Sequence, residues 1–442
     1  MTAWWARRAW LGGARTTEGV VLEVKDGRFA AVTPGIPAPP AGANVLEGLT
    51  LPGLANTHSH AFHRALRGRT HEHSGSFWSW REAMYGLASR LDPDTYGRLA
   101  RATFAEMALA GFTAVGEFHY LHQGRGGIPY GDPNAMGHAL MAAAGDAGVR
   151  LTLLDACYLQ GDFDAPLVGP QRRFGDGDTE GWIRRVSRLE DAPHVRAGAA
   201  IHSVRAVPPA AAAGVAAFAR ARGMPLHAHV SEQRREHEQC RDRRGATPLE
   251  LLAEGGALGP DFTAVHGTHL SARDVGLLGG AGGGCCACPT TEADLGDGLG
   301  PFEALHRAGV RLSVGSDSHA VVDGFEEARS LEAACRLTSE TRGVLSPADL
   351  LGAATAGGMA SLGWDSGRLA PGALADFVAV RLDSRRTAGC DPSLAATAVF
   401  AASAADVTDV VVGGRVVVAA GVHALVEDVP GELAASISAL DP

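Results

Sequence analysis

Short apolar runs alternate with longer amphipathic stretches through most of this 442-residue chain. FTAVGEF, VRLTLLDA, VRAGAAI, MPLHAHV, FTAVHG and VRLSVGSD each read as a buried strand, being brief, apolar and bounded by turn residues. The segments between them have helical character and end in glycine, as PDTYGRLARATFAEMALAG does, which is a common way to close a helix. Roughly eight such strand–helix units predict an α/β fold, a (β/α)8 TIM barrel, over residues 48–364.

Both ends of the chain depart from this pattern. VVLEVKDGRFAAV has β-rich runs around a DG turn, PGIPAPPAGAN is a Pro/Gly loop, and LEGLTLPGLANTHSHAF runs from a strand into a loop. Past residue 364, GRLAPGALADFVAVRL and VTDVVVGGRVVVAAG read as strands separated by glycine turns. The expected organisation is a small β-sandwich domain built from residues 1–47 and 365–442, flanking the barrel.

A barrel carries its active site at the C-terminal ends of its strands. Four predicted strand ends here hold reactive side chains: His58 and His60 in THSHAF, His229 and Glu232 in PLHAHVSEQ, His266 in AVHGTH, and Asp317 in LSVGSDSH. Alternate residues of a strand face one side, so His58 and His60 can converge on a metal, and neutral imidazole is a common zinc ligand. A carboxylate such as Glu232 beside a metal-bound water can move protons. Taken singly, each motif also reads as structural: polar loop residues, a helix-starting Ser-Glu pair, a buried histidine. Their joint occurrence at strand ends, in barrel order, favours a catalytic metal site.

Composition narrows the partners. Charged residues make up 20% and net charge is -10, so there is no basic footprint for nucleic acid. No uninterrupted apolar run reaches the length of a membrane span, and MTAWWARRAWLGG lacks the order of a signal peptide. Seven cysteines in a chain of this length do not form a disulfide framework, and the cytoplasm is the expected compartment.

The order HxH, HxxE, His, then Ser-Asp, with LPG ahead of the first motif and GRLAPGALADFV near the end, resembles the deaminase branch of the amidohydrolase superfamily over nearly the whole chain. That resemblance implies His58, His60, His229 and Asp317 as ligands of one Zn2+, with another divalent ion such as Fe2+ as an alternative. Many members bridge two metals with a carboxylated barrel lysine; the only lysine here is Lys25, which precedes the barrel, so a single metal is expected. Three histidines and one carboxylate leave a coordination position for water. Glu232, His266 and Asp317 are the implied catalytic residues, and a homodimer is among the assemblies the superfamily uses.

Longer segments are more specific. HAFHRALRG, SFWSWREAMY, EFHYLH, HSVRAV, HVSEQRREHEQC and PTTEADLGDG together resemble the formimidoylglutamate deiminase family. The resemblance implies hydrolysis of N-formimino-L-glutamate to N-formyl-L-glutamate and ammonia, a step of histidine degradation. The implied partner is a small dicarboxylate, and Arg81, Tyr120, His202 and Arg205 fall in the motifs that contact it. Alone, each arginine could be a surface ion pair; together in barrel-loop motifs they suit two carboxylates. One position departs from the family pattern: His63 stands where glutamine is expected, though it can still donate a hydrogen bond.

Other features are read more plainly. Cys285, Cys286 and Cys288 invite a zinc-finger reading, but no partner motif has the required spacing, and small buried side chains are expected there. Phe77, Trp78 and Trp80 either wall the pocket or pack a loop. His119 and His122 lie near the barrel mouth and are not assigned as ligands. Two rival functions share the metal set: a deaminase or chlorohydrolase acting on a heterocycle, and a non-catalytic metal-binding barrel. The arginine pair argues against the first, and Glu232 with His266 against the second.

Overall fold

The computed structural model describes residues 1–71 and 75–441. Strands β1 (Thr2–Ala9), β2 (Thr17–Lys25), β3 (Arg28–Thr33) and β4 (Asn44–Pro52) come first. The β2–β3 hairpin turns at Asp26-Gly27, both at positive φ, the conformation a DG pair accepts in a tight hairpin. Eight strands of a second sheet follow: β5 (Leu54–Ser59), β6 (Phe112–His119), β7 (Arg150–Cys157), β8 (Val195–Ile201), β9 (Leu226–Val230), β10 (Phe262–His266), β11 (Gly284–Ala287) and β12 (Arg311–Val314). The chain then adds β13 (Phe377–Val380), β14 (Val407–Val412), β15 (Arg415–Ala419) and β16 (Val422–His423).

Strands β5 to β12 are parallel and stand in sequence order, with helices in the connections, as expected for the barrel. Every residue of β5, β6, β7, β9, β10 and β11 is buried, which explains their unbroken apolar character: a barrel strand is covered on both faces. The seam between β5 and β12 closes just beyond β12, where Asp317 N–H donates to His58 O at 3.0 Å and His60 N–H to Asp317 O at 3.3 Å. Gly315 makes this approach sterically feasible. A Cβ there would lie 2.8 Å from the backbone N and O of His58.

Both chain ends join in one continuous sheet of order β16-β15-β14-β13-β4-β1-β2-β3. Its own core includes Trp4, Leu22, Phe29 and Phe377. Lys25 ends β2 in this sheet, outside the barrel. Among the described residues no helix is long and apolar enough to cross a membrane.

Candidate active site

The barrel seam is also where the histidines meet. His58 and His60 come from the end of β5, His229 from β9, His266 from the last position of β10, and Asp317 from the turn after β12. His58 Nε2 and His229 Nε2 are 3.1 Å apart. Asp317 Oδ1 lies 3.4 Å from both His58 Nε2 and His60 Nε2. The donors form two overlapping triads sharing His58: with His60 and Asp317, and with His229 and His266. Ser231, His266, Asp317 and His319 all have positive φ, an uncommon conformation for such residues that concentrates backbone strain at these strand ends.

The arrangement fits a divalent cation. His60 Nδ1 donates to Phe118 O and His229 Nδ1 to His202 O, each at 2.8 Å, which leaves both Nε2 lone pairs pointing inward. Burial pushes the pKa of His58, His60 and His229 well below the usual histidine value, so all three are neutral, the state a metal ligand requires. Converging lone pairs and a carboxylate at these distances call for positive charge between them. With Lys25 remote, nothing here offers the lysine bridge of a two-metal centre.

His266 and Glu232 flank this centre. His266 Nε2 is 3.8 Å from Asp317 Oδ2 and 3.9 Å from Glu232 Oε1. Its Nδ1 faces Glu292 Oε1 at 3.4 Å. Burial alone would lower the His266 pKa, but Glu232, Glu292 and Asp317 outweigh it and raise it well above the usual value. Burial, reinforced by the neighbouring Asp297, Asp317 and Glu236, raises the Glu232 carboxyl well above the carboxylate range. Protons are therefore available at both side chains beside the ligands.

A pocket opens directly over the centre. It is lined by all the sequence-predicted site residues except His58, which is wholly buried behind His60 and His229. His63 Nε2 and Tyr120 OH are hydrogen-bonded at 3.0 Å, and Trp80 meets the His63 ring edge-on. Phe77 and Trp80 wall the pocket; Trp78 instead stacks between Arg81 and Arg235, with ring distances of 4.5 and 4.7 Å. Arg205 is buried, and among the described residues its Nη1 has no hydrogen-bond partner. Arg81 Nε is likewise unpartnered. The sequence alone does not single out Tyr85, Tyr158, Phe174, Ser203 or Glu236, which also line the pocket. Glu236 had one available signal, its place one helical turn beyond Glu232 in HVSEQRREHEQC.

The remaining motifs lie apart from the pocket. Cys285, Cys286 and Cys288 are free and buried, as expected of small packing residues, although Cys288 adjoins His266 and Glu292. His119 and His122 form a separate buried group with Asp155, whose carboxylate is taken by Arg185 at 2.6 and 2.7 Å.

Comparison with known proteins agrees with this geometry. Residues 49–417 match the Amidohydrolase family. The chain belongs to that family, and it is a hydrolase acting on carbon–nitrogen bonds. Its sequence is 38% identical to formimidoylglutamate deiminase of Pseudomonas aeruginosa, over 96% of each chain, which bears out the resemblance read from the motifs. It is also 30% identical to 8-oxoguanine deaminase of the same organism, over 89% of this chain and 88% of that one. The crystal structure of an amidohydrolase from Brucella melitensis superposes with a TM-score of 0.90, at 32% identity and full coverage of both chains.

Proposed function

We propose that the chain hydrolyses N-formimino-L-glutamate to N-formyl-L-glutamate and ammonia, a cytoplasmic step of histidine degradation, with one Zn2+ or a similar divalent ion. The observation that carries this reading is Arg205: a buried guanidinium with an unpartnered Nη1, lining the same pocket as Arg81 and the histidine cluster. Buried N–H groups without a partner are costly, and an anion arriving in the pocket would satisfy them. N-formimino-L-glutamate has two carboxylates for two arginines and an amidine carbon for the hydrolytic end.

His58, His60, His229 and Asp317 would hold the ion. When bound, a zinc ion supplies a nucleophilic water at neutral pH. Asp317 Oδ2 and His266 Nε2, 3.8 Å apart, orient the attacking water over the amidine carbon. His266, as an imidazolium, stabilises the negative charge that develops there. Glu232 takes up the protons that the attacking water gives up and delivers them to the departing nitrogen, the carbon–nitrogen bond breaks, and ammonia leaves as the N-formyl product forms. Arg81 and Arg205 hold the carboxylates so that this carbon is presented to the water. His63 and Tyr120 offer hydrogen bonds on the wall between.

The aromatic lining suits a second reading, a deaminase of a flat heterocycle, and the similarity to 8-oxoguanine deaminase points the same way. Such a ring offers no carboxylates for Arg81 and Arg205. An ammonia-release assay with zinc-loaded protein on N-formimino-L-glutamate, run beside purines, pyrimidines and triazines, separates the two. Turnover of a heterocycle alone overturns the proposal.

A further inference from the structure

The mechanism leaves one buried acid of the pocket unused. Glu236 sits in the first turn of the helix Arg234–Arg244, directly after the loop that carries Glu232. It is 5% exposed, lines the same pocket as Arg205, and among the described residues its Oε1 has no hydrogen-bond partner. A buried oxygen with no partner is costly unless something else meets it. Arg205 lines the same pocket, close enough for its charge to pull the Glu236 pKa down, and among the described residues its Nη1 is unpartnered too. Both open valences belong to one pocket, so a single ligand group placed between them would satisfy both.

The charge state follows from what the ligand brings: two carboxyl groups that meet in one buried site cannot both ionise readily, so they share a proton. Burial raises the Glu236 carboxyl, and Asp162 adds to that, while Arg205, His266 and Ser203 pull it down; the net shift is upward. An ionised carboxylate beside Arg205 would repel an incoming dianion in a site where water screens little. A neutral carboxylic acid has the opposite effect, because its O–H donates to a carboxylate in a short, charge-assisted bond.

We propose that Glu236 is a specificity-determining residue that donates a hydrogen bond to the substrate carboxylate held by Arg205. The proposal rests on the dicarboxylate reading of the pocket. It makes the clamp sensitive to the ligand as well as to the cation: a carboxylate accepts from both Arg205 and Glu236, whereas a carboxamide at that place accepts from each only weakly.

The test uses the full-length zinc-loaded protein with Glu236→Gln and Glu236→Ala, checked for metal content and thermal unfolding. On N-formimino-L-glutamate, E236A should raise KM about tenfold or more with kcat within a factor of about three, the size expected for one hydrogen bond to a charged group. E236Q, whose amide N–H can replace the lost donor, should stay within about threefold of the parent. The α-carboxamide and γ-carboxamide analogues of the substrate locate the contact: one should lose the sensitivity to E236A and the other keep it. Binding of glutarate by calorimetry provides a readout that needs no turnover, and E236A should weaken it by a similar factor. A lower KM in E236Q would mean that Glu236 is an ionised counter-charge, and an unchanged KM and glutarate affinity in E236A would make it a bystander; either overturns the proposal. Failure of the unaltered protein to release ammonia from the formimino substrate, with glutarate binding and its E236A effect intact, would overturn the assigned reaction and leave Glu236 in its role. Loss of both overturns both.

Discussion

Ser59 Oγ donates to Glu117 Oε2 at 2.7 Å, tying the residue between His58 and His60 to the neighbouring barrel strand. Ala61 N–H donates to Glu117 Oε1 at 2.7 Å, so one carboxyl group grips the chain on both sides of His60. Tyr96 OH donates to the same Oε1 at 3.2 Å. On its other side Ser59 meets His319 Nε2 at 3.2 Å, and His319 Nδ1 meets Ser316 at 3.1 Å. Two segments that carry metal-facing side chains are thus joined through a wholly buried polar network.

Glu117 gives that network a pH dependence. Burial raises its pKa from 4.5 to about 7, against the pull of its three hydrogen bonds. The folded state therefore keeps a proton that the unfolded chain has already lost. Its contribution to stability is full below about pH 4.5 and is lost as pH rises to about 7. Glu117→Gln cannot ionise and escapes that loss. Between pH 4.5 and 7 the unfolding free energy of the metal-free parent should fall relative to E117Q by up to about 3 kcal/mol, at roughly 1.4 kcal/mol per pKa unit. Urea unfolding of both proteins at the two pH values measures the difference. A constant difference would show that the carboxyl titrates normally.

Glu232 can be separated from the metal ligands. It lines the pocket and lies 3.9 Å from His266 Nε2, but it is not one of the converging donors around His58. Glu232→Gln keeps its size and removes its proton transfer. We expect turnover to fall by roughly 10²–10⁴, the usual worth of a positioned acid or base, with metal content unchanged. Steady-state kinetics beside metal analysis decides it, and near-parental kcat in a metal-replete E232Q would remove Glu232 from the chemistry.

Arg205 should act on substrate capture. Replacing it with methionine keeps much of its apolar contact with the pocket and removes the charge. Loss of one charge-assisted contact to a carboxylate corresponds to about 1.5–3 kcal/mol, or roughly 10- to 150-fold in kcat/KM. A carboxylate-free formimino compound should show little difference between R205M and the parent. Equal losses on both substrates would assign Arg205 to folding instead.

Most of the barrel was legible because its strands are buried on both faces and read as short apolar runs, with reactive side chains at or just past several of their C-terminal ends. That same rule exposed His58, His60, His229, His266 and Asp317. It could not expose Tyr85, Tyr158 or Phe174, which reach the pocket from a helix and from loops; their proximity exists only after folding. The end sheet was partly readable. Its strands are apolar and separated by glycine turns, but the placing of β4 between β1 and β13 joins segments hundreds of residues apart and leaves no local trace. Glu117 was hidden for a related reason: within an apolar strand nothing local marks it as the anchor of a loop on its neighbour.

Removal of the metal should affect both activity and stability. Three buried neutral histidines and Asp317 face one another at 3.1–3.4 Å, so the empty site retains unfavourable contacts between acceptors. Dialysis against a chelator should abolish ammonia release, and one equivalent of Zn2+ should restore it. The same addition should raise Tm, since a ligand that binds only the folded state stabilises it, by about 4 kcal/mol at a thousandfold excess over Kd. Restoration that requires two equivalents would contradict a single-metal centre.

The barrel and the end sheet are locked together by a buried pair that has no part in the pocket. Arg150, on β7, donates through Nε and Nη2 to Asp376 at 2.8 and 2.9 Å. Asp376 also accepts from Ser366 Oγ at 2.9 Å and from Gly413 N–H at 2.7 Å, and it is fully buried. Removing one partner of such a pair leaves an uncompensated charge, at a cost of about 3–5 kcal/mol, whereas removing both with apolar replacements is far less damaging. Asp376→Ala should therefore lower stability by that amount, and a second change, Arg150→Met, should recover part of it. A double-mutant cycle on urea unfolding measures the coupling. Because neither residue lines the pocket, KM of the folded fraction should be unchanged at low temperature. A loss below about 1 kcal/mol in D376A would show that the two sheets do not depend on this pair.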